Sequence, residues 1–408
     1  MTQTSERPPR AGVVSAIGWA FFPIAFMARL PYAMMVVGNL TLVVAARDSL
    51  ALGGAASAAV GIGTALFGPL IGAAADRFGQ RPVLITSAIA SGALLALLAW
   101  VAYSPLPDVA ILATALAIGA FSPQVGPMSR TRLGNLILSR APRESRERAL
   151  NGAMAYESMA DEINFVIGPV LVGLVAALIH PAAPLVLAAV LSVVFVGAFA
   201  LHPSAPAGTR HDEARAEVAP ARELLAPGLL LAVLGTFGVG LFFGATLTSL
   251  TSAMGDLGSS ESAGIVYGAM GLGSAIFAIG VIWLPANFTL AARWISFAAV
   301  MLLGVIGYAL AGLNLTWIVV ALLVAGCGVG PTLVTLFGIG VRLSPKGRSA
   351  TAMTMLGSGV IVGQSLASAV TGAIGQAHGS AVAMWLPTVA ATLVVIAGLA
   401  NMAVGRRR

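Results

Sequence analysis

Charge is scarce in this 408-residue chain: Asp, Glu, Lys and Arg together make up 9%, against 58% hydrophobic residues and a mean hydropathy of +0.94. Too little polar surface remains to cover a soluble globule, so the chain reads as an integral membrane protein. Cysteine occurs once, at Cys327 within an apolar run, which excludes an intramolecular disulfide and a cluster of thiol metal ligands. Lysine also occurs once, at Lys346, with no phosphate-cradling glycine loop before it, so ATP hydrolysis is not the expected energy source. The four histidines, His180, His202, His211 and His378, fall in or near loops, none beside a paired nucleophile and acid. Neither an enzyme nor a cofactor or metal site is expected. Residues Met1 to Arg10 are polar, and the apolar run after them is too long for a signal-peptide core and lacks a cleavage site, which makes them an uncleaved tail.

What is present is a series of apolar segments broken by polar or Pro/Gly stretches, over 12–46, 52–75, 82–104, 107–135, 149–179, 182–202, 223–253, 261–284, 289–311, 314–342, 349–376 and 380–404. Each is long enough to cross a bilayer as a helix, the one open-ended element whose backbone polar groups are satisfied internally. The expected fold is therefore an all-α membrane protein of twelve transmembrane helices.

Arginine placement orients them, because short loops retained in the cytosol carry the basic excess. Arg7 and Arg10 precede the first span, Arg77 and Arg81 follow the second, and Arg130, Arg132, Arg140, Arg143, Arg146 and Arg148 are assigned to the loop after the fourth. Arg210, Arg215 and Arg222 follow the sixth, Arg293 the eighth, Arg342, Lys346 and Arg348 the tenth, and Arg406, Arg407 and Arg408 the twelfth. The opposite loops lack Lys and Arg except for Arg47 beside Asp48. Both termini are then cytoplasmic. The net charge of +7 is accounted for by this sorting, and no nucleic-acid partner is expected.

Segment 203–222, the longest polar stretch, divides the chain into units 1–202 and 223–408. The units echo one another: the fourth span carries Gly126-Pro127 and the tenth Gly330-Pro331, each leading to a basic loop.

Between the second and third spans stands Gly72-Ala-Ala-Ala-Asp76-Arg77-Phe-Gly79-Gln80-Arg81. This resembles the G-x-x-x-D-R-x-G-R-R signature of the major facilitator superfamily, with Gln80 in place of the first basic residue after the second glycine. The second-half counterpart, residues 285–289, has lost the acidic and glycine positions. The resemblance implies two pseudo-symmetric six-helix bundles with a substrate site between them at mid-membrane. It also implies that Asp76, Arg77 and Arg81 latch the cytoplasmic side shut, with Gly72 and Gly79 in the same motif. Physically, a carboxylate at the inner end of the second helix can meet a helix N-terminus or a basic residue of the other bundle. Topogenic charge with a tight turn at Gly79 is a compatible reading.

The fifth span holds Glu157, Asp161 and Glu162. Unpaired charges there are costly, so these acids must be protonated, paired or in a water-filled cavity. Asp161 and Glu162 are the candidates for proton coupling or substrate contact; Glu157, nearer the cytosol, is expected to be structural. Arg29, read as the only basic residue within a span, needs a counter-ion and is expected to meet Asp161 or Glu162, or else an anionic substrate group. Further along the same span, Gly168-Pro169 and Gly173 resemble part of the helix-5 motif of the superfamily's drug/proton antiporters. The fourth span has no arginine four residues before Gly119, where many proton-coupled exporters carry one. Tyr32, Asn39, Gln124, Asn164, Phe243 and Gln364 are candidates for the substrate cavity, while Trp100, Trp283 and Trp385 sit near span ends and suit the interfacial belt.

These features point to a secondary active transporter of a small organic molecule, with export by proton antiport expected and a proton-coupled importer as the alternative. A membrane receptor of the same fold is disfavoured. The expected partners are the substrate, protons and the lipid bilayer, with the chain a monomer. Arginine-rich, lysine-poor usage suggests a bacterial cytoplasmic membrane.

Overall fold

The computed structural model describes residues 17–205, 219–258, 263–285 and 287–406. Arg7, Arg10, Arg210, Arg215, Arg407, Arg408 and most of the 203–222 segment lie outside them. Twelve helices long and apolar enough to cross a membrane are present: α1 (Phe21–Arg47), α2 (Leu52–Phe78), α3 (Gln80–Tyr103), α4 (Asp108–Arg140), α5 (Arg143–Leu178), α6 (Ala183–Leu201), α7 (Pro227–Asp256), α8 (Val266–Trp283), α9 (Leu290–Leu310), α10 (Leu315–Leu343), α11 (Ser349–His378) and α12 (Ser380–Val404). No strand occurs among the described residues. Leucines, valines and isoleucines on the outward faces are exposed, as are Trp100, Trp283 and Trp385, a surface suited to lipid rather than water.

Three helices are discontinuous, each beside a proline: α12 parts at Met384-Trp385, between Ser380–Ala383 and Leu386–Arg406, just before Pro387, and α1 and α4 part farther from their ends. In α1 the half-helices Phe21–Met27 and Leu30–Arg47 flank Ala28-Arg29; the ring of Pro31 displaces the carbonyl of Met27 and prevents a continuous ladder. In α4 the half-helices Asp108–Ala120 and Val125–Arg140 flank residues 121–124, where Pro123 pushes Ser122 out of the helical region. By contrast, α10 runs unbroken through Pro331 and α5 through Pro169.

Small residues set the crossings. Any Cβ on Gly63 would approach Ala120 N within 2.8 Å, and one on Gly119 would approach Thr64 N within 2.9 Å, so α2 and α4 touch backbone to backbone. The same kind of crossing recurs between α8 and α10, where a Cβ on Gly273 would lie 3.1 Å from Cys327 N and one on Gly326 3.0 Å from Ser274 N. The turn from α2 to α3 is a single residue, Gly79, which ends one helix and starts the next at φ +87°, a conformation glycine adopts without strain. Arg47, the exception at the sparsely charged end, closes the frayed end of α3 by donating to the carbonyls of Ala102 (2.8 Å), Ser104 (2.9 Å) and Leu106 (2.8 Å).

The two halves meet mainly at the end that carries the α2–α3 turn and the α10–α11 loop, called here the basic end. Helices α2 and α4 pack on α11, and α5 packs on α8 and α10. A side chain at Gly72 would be 2.9 Å from Thr351 Cα, and one at Gly68 2.7 Å from Ser358 Oγ.

The helix-5 glycines differ in what they permit. A Cβ on Gly168 would fall 2.7 Å from Ala33 Cβ and 2.8 Å from its carbonyl carbon, whereas Gly173 has open space around it. Gly168→Leu should therefore force α1 and α5 apart at a cost of about 1–3 kcal/mol, seen as a lowered unfolding temperature in detergent. Gly173→Ala should leave that temperature unchanged or raise it; equal effects of the two substitutions would contradict the packing described.

Candidate functional site

At the basic end, the carboxylate of Asp76 caps the start of α11. It accepts hydrogen bonds from the backbone N–H groups of Ala350 (2.9 Å) and Thr351 (2.8 Å) and from the Thr351 hydroxyl (2.6 Å). These are the orphan donors of a helix N-terminus, aligned with its positive dipole end. Around this contact, Glu147 pairs with Arg342, Thr131 donates to Ser349 O at 3.4 Å, and Arg348 donates to Ala219 O at 2.5 Å.

The two basic members of the motif make no ion pair among the described residues. Arg77 lies over the Phe78 ring at 5.2 Å, and Arg81 Nε is buried without a partner. Gln80, where the signature has a basic residue, is buried and accepts from Arg132 Nε at 2.7 Å; Arg132 also donates to Phe199 O at 2.8 Å and stacks on that ring.

All six arginines assigned to the loop after the fourth span lie in helices, Arg130, Arg132 and Arg140 in α4 and Arg143, Arg146 and Arg148 in α5, and three loop-assigned arginines are buried. Arg130 and Arg132 are buried in α4, which continues to Arg140, and Arg293 is buried in the first turn of α9, bonded to Phe288 O at 2.7 Å. Arg29 is thus not the only basic residue within a span. The polar run Ser129-Arg-Thr-Arg lies inside the span 107–135 although its arginines count as loop charges, and in the structure they face inward partners.

Those partners form the second constellation, near the middle of the bundle. The break in α1 frees the Ala25 carbonyl, which takes Arg29 Nη1 at 2.7 Å, and turns the rest of the guanidinium towards α5. Arg29 Nε donates to Asp161 Oδ1 at 2.8 Å, and Nη2 donates to Glu157. From α4, Arg130 Nη2 donates to Asp161 Oδ2 at 2.6 Å and Ser129 Oγ to Glu157 Oε1 at 2.7 Å. Two guanidiniums therefore face two carboxylates. Glu157 is fully buried, Arg29 and Arg130 are 5% and 3% exposed, and Asp161 alone reaches solvent, at 30%.

Glu157 shares Asp161's helix face by its spacing of four residues, and its fully buried pair with Arg29 is compatible with the structural part expected of it. The side chain of Glu162 lies outside the described residues. Arg130, Ser129 and the ring of Phe337, which sits 3.9 Å beneath Arg130 from the opposite bundle, were not singled out from sequence. Two acids and one recognised arginine left a charge imbalance that could have pointed to Arg130.

The cavity candidates divide. Tyr32 meets Phe165 edge-on at 6.4 Å, and Gln124 lies in the α4 break, its amide on Ser122 O at 3.1 Å. Asn164 ties α5 to the broken stretch of α1 through Phe26 O at 3.3 Å, so it has a packing role. Asn39 is fully buried with neither amide atom bonded among the described residues. Phe243 packs on Phe242 in the core of the second half, and Gln364 lies where α11 crosses Gly244. The described residues hold no group of three or more His, Cys, Asp or Glu able to bind a metal.

Comparison with known proteins agrees with this architecture. No curated protein matches the chain. Among solved structures, the human organic anion transporter MFSD10 superposes with a TM-score of 0.70 at 19% identity, covering 97% of this chain and 100% of the other. The proton:xylose symporter XylE gives 0.71 at 14% identity, covering 94% and 95%. A bacterial homologue of the iron transporter ferroportin in an outward-facing state gives 0.69 at 15% identity, covering 96% and 99%. At these identities the likeness is one of fold. The family model of the Major Facilitator Superfamily matches residues 11–357, and the chain belongs to that superfamily.

Proposed function

We propose that this protein moves a small organic molecule across the membrane by alternating access and that protons drive it through Asp161. The observation that carries the reading is the buried four-charge cluster with one solvent-reaching carboxylate. Glu157 is sealed between Arg29 and Ser129. Asp161 can exchange a proton with the space between the bundles, and its two guanidinium partners sit on separate helices, α1 and α4. Protonation removes the charge that holds those helices to α5, and losing one member of a buried pair typically costs about 3–5 kcal/mol. That is enough to switch between two packings.

The basic end is the cytoplasmic one by the distribution of arginine in short loops, with both termini on that side, the protein acting as a monomer in a bacterial cytoplasmic membrane. With α2, α4 and α5 packed against the other half there, this conformation is closed to the cytosol, and the Asp76 cap on α11 is the latch. Export by proton antiport draws support from Gly168-Pro169 and Gly173, and from Arg130, which stands four residues before Gly134 in α4. Proton-coupled import is favoured by one feature of the site itself: two guanidiniums balance two carboxylates, so an added proton leaves a net positive charge that calls for an anion, and proton and cargo then load together.

Proteoliposomes under an imposed proton gradient test the coupling. Neutral, anionic and cationic compounds should include some that evoke a change in internal pH, lost in Asp161→Asn and retained in Glu162→Gln. Flux that survives Asp161→Asn contradicts the assignment. For the latch, removing the charge from the Asp76 hydrogen bonds forfeits about 1.4 kcal/mol or more, a roughly tenfold shift in population. Asp76→Asn should lengthen the distance between spin labels at Ser139→Cys and Leu225→Cys, in a Cys327→Ala background. An unchanged distance distribution contradicts the latch.

A further inference from the structure

The second half-helix of α4 starts at Val125, directly after the unwound stretch 121–124, and its first turn points at the charge cluster. A Cβ on Gly126 would have Arg130 Nη1 at 3.2 Å, Asp161 Oδ1 at 3.6 Å and Arg29 Nε at 3.8 Å as its nearest neighbours. Bare backbone at the positive end of a helix thus lies directly against both guanidiniums, so close that an added Cβ would press on Arg130 Nη1. Two further polar groups there are orphaned: Arg130 Nε and Ser122 Oγ are buried with no hydrogen-bond partner, on residues 3% and 0% exposed. Buried donors without partners are costly and point to a ligand that satisfies them. The cluster also displays the chemistry it accepts, since the group bridging Arg29 and Arg130 is itself a carboxylate.

We propose that Arg29 and Arg130, with the α4 break from Ser122 to Gly126 beside them, bind a carboxylate group of the transported molecule, which takes over the guanidiniums once Asp161 is protonated. The inference rests on the proton-coupled reading and adds the charge class of the cargo. The groups facing Asp161 are Arg29 and Tyr32 from α1, Arg130 from α4, and Tyr156 and Glu157 from its own helix. With the Arg29–Glu157 pair intact, protonating Asp161 leaves one guanidinium charge uncompensated. A carboxylate restores neutrality, whereas a cation would deepen the excess. Proton and anion therefore each raise the other's affinity, by the reciprocity of linked binding. When binding needs the protonated form, each pH unit above that group's titration weakens it about tenfold.

The test uses the purified full chain and its unfolding temperature at about pH 5.5 and about pH 7.5. Sodium formate, acetate and benzoate are compared with sodium chloride at equal ionic strength, and benzamide and benzamidine serve as the neutral and cationic counterparts of benzoate. Carboxylates should stabilise the protein at the lower pH and lose that effect at the higher one. Asp161→Asn should keep the stabilisation at both, and Arg130→Gln should lose it at both. The proposal is overturned if none of the three carboxylates stabilises the protein, if benzamidine does so more than benzoate, or if Arg130→Gln responds as wild type does. Benzamidine-evoked, Asp161-dependent proton flux without carboxylate binding would sink the carboxylate site and leave the coupling reading standing. Carboxylate binding with the stated pH dependence but no proton flux would uphold the site and remove the coupling.

Discussion

Everything in the first half of this protein is arranged around the need to compensate Arg29. A guanidinium held inside the first membrane-spanning helix, 5% exposed, is tolerable only if its charge and its donors are met. The fold meets them from three directions: the Ala25 carbonyl freed by the break in α1, the two acids of α5, and, through the shared Asp161, the second arginine on α4. The helix interruptions are part of this solution. Pro31 and Pro123 break the ladders where the charges must gather, and Gly126 and Gly168 let α1, α4 and α5 approach closely enough for direct contact.

The cluster is tied to the opposite bundle by the ring of Phe337 under Arg130 and, towards the basic end, by Asp76 on the first turn of α11. These two contacts use a charge against a fixed dipole or π-face, and the exposed pair of Glu147 on α5 with Arg342 on α10 adds a charge–charge contact at the basic end. Contacts of this kind can be exchanged, which the proposed alternation between two packings requires.

Much of this was legible in the sequence. Twelve apolar runs and the Asp76-Arg77-x-Gly79 turn specify the membrane fold, because hydrocarbon leaves the backbone few alternatives. That Arg29 needs an acid of α5 or an anionic substrate group follows from charge balance, and the structure pairs it with Asp161 and Glu157. What could not be read was the direction of the α4 arginines: the span 107–135 contains Arg130 and Arg132, yet they pass for loop charges, and only Asp161 and Phe337 around the one and Gln80 and Phe199 around the other show that they point inward. Gln80 illustrates the limit of motif matching, its departure from the signature making sense only once Arg132 is seen to bond it.

The central claim is that Asp161 carries the exchangeable proton. Difference infrared spectroscopy of the reconstituted protein, recorded as the pH is lowered, observes the carbonyl stretch of a newly protonated carboxylic acid directly. The account predicts such a band in the wild type that is absent from Asp161→Asn and retained in Glu157→Gln. A band that persists without Asp161, or one that vanishes only when Glu157 is replaced, would contradict it.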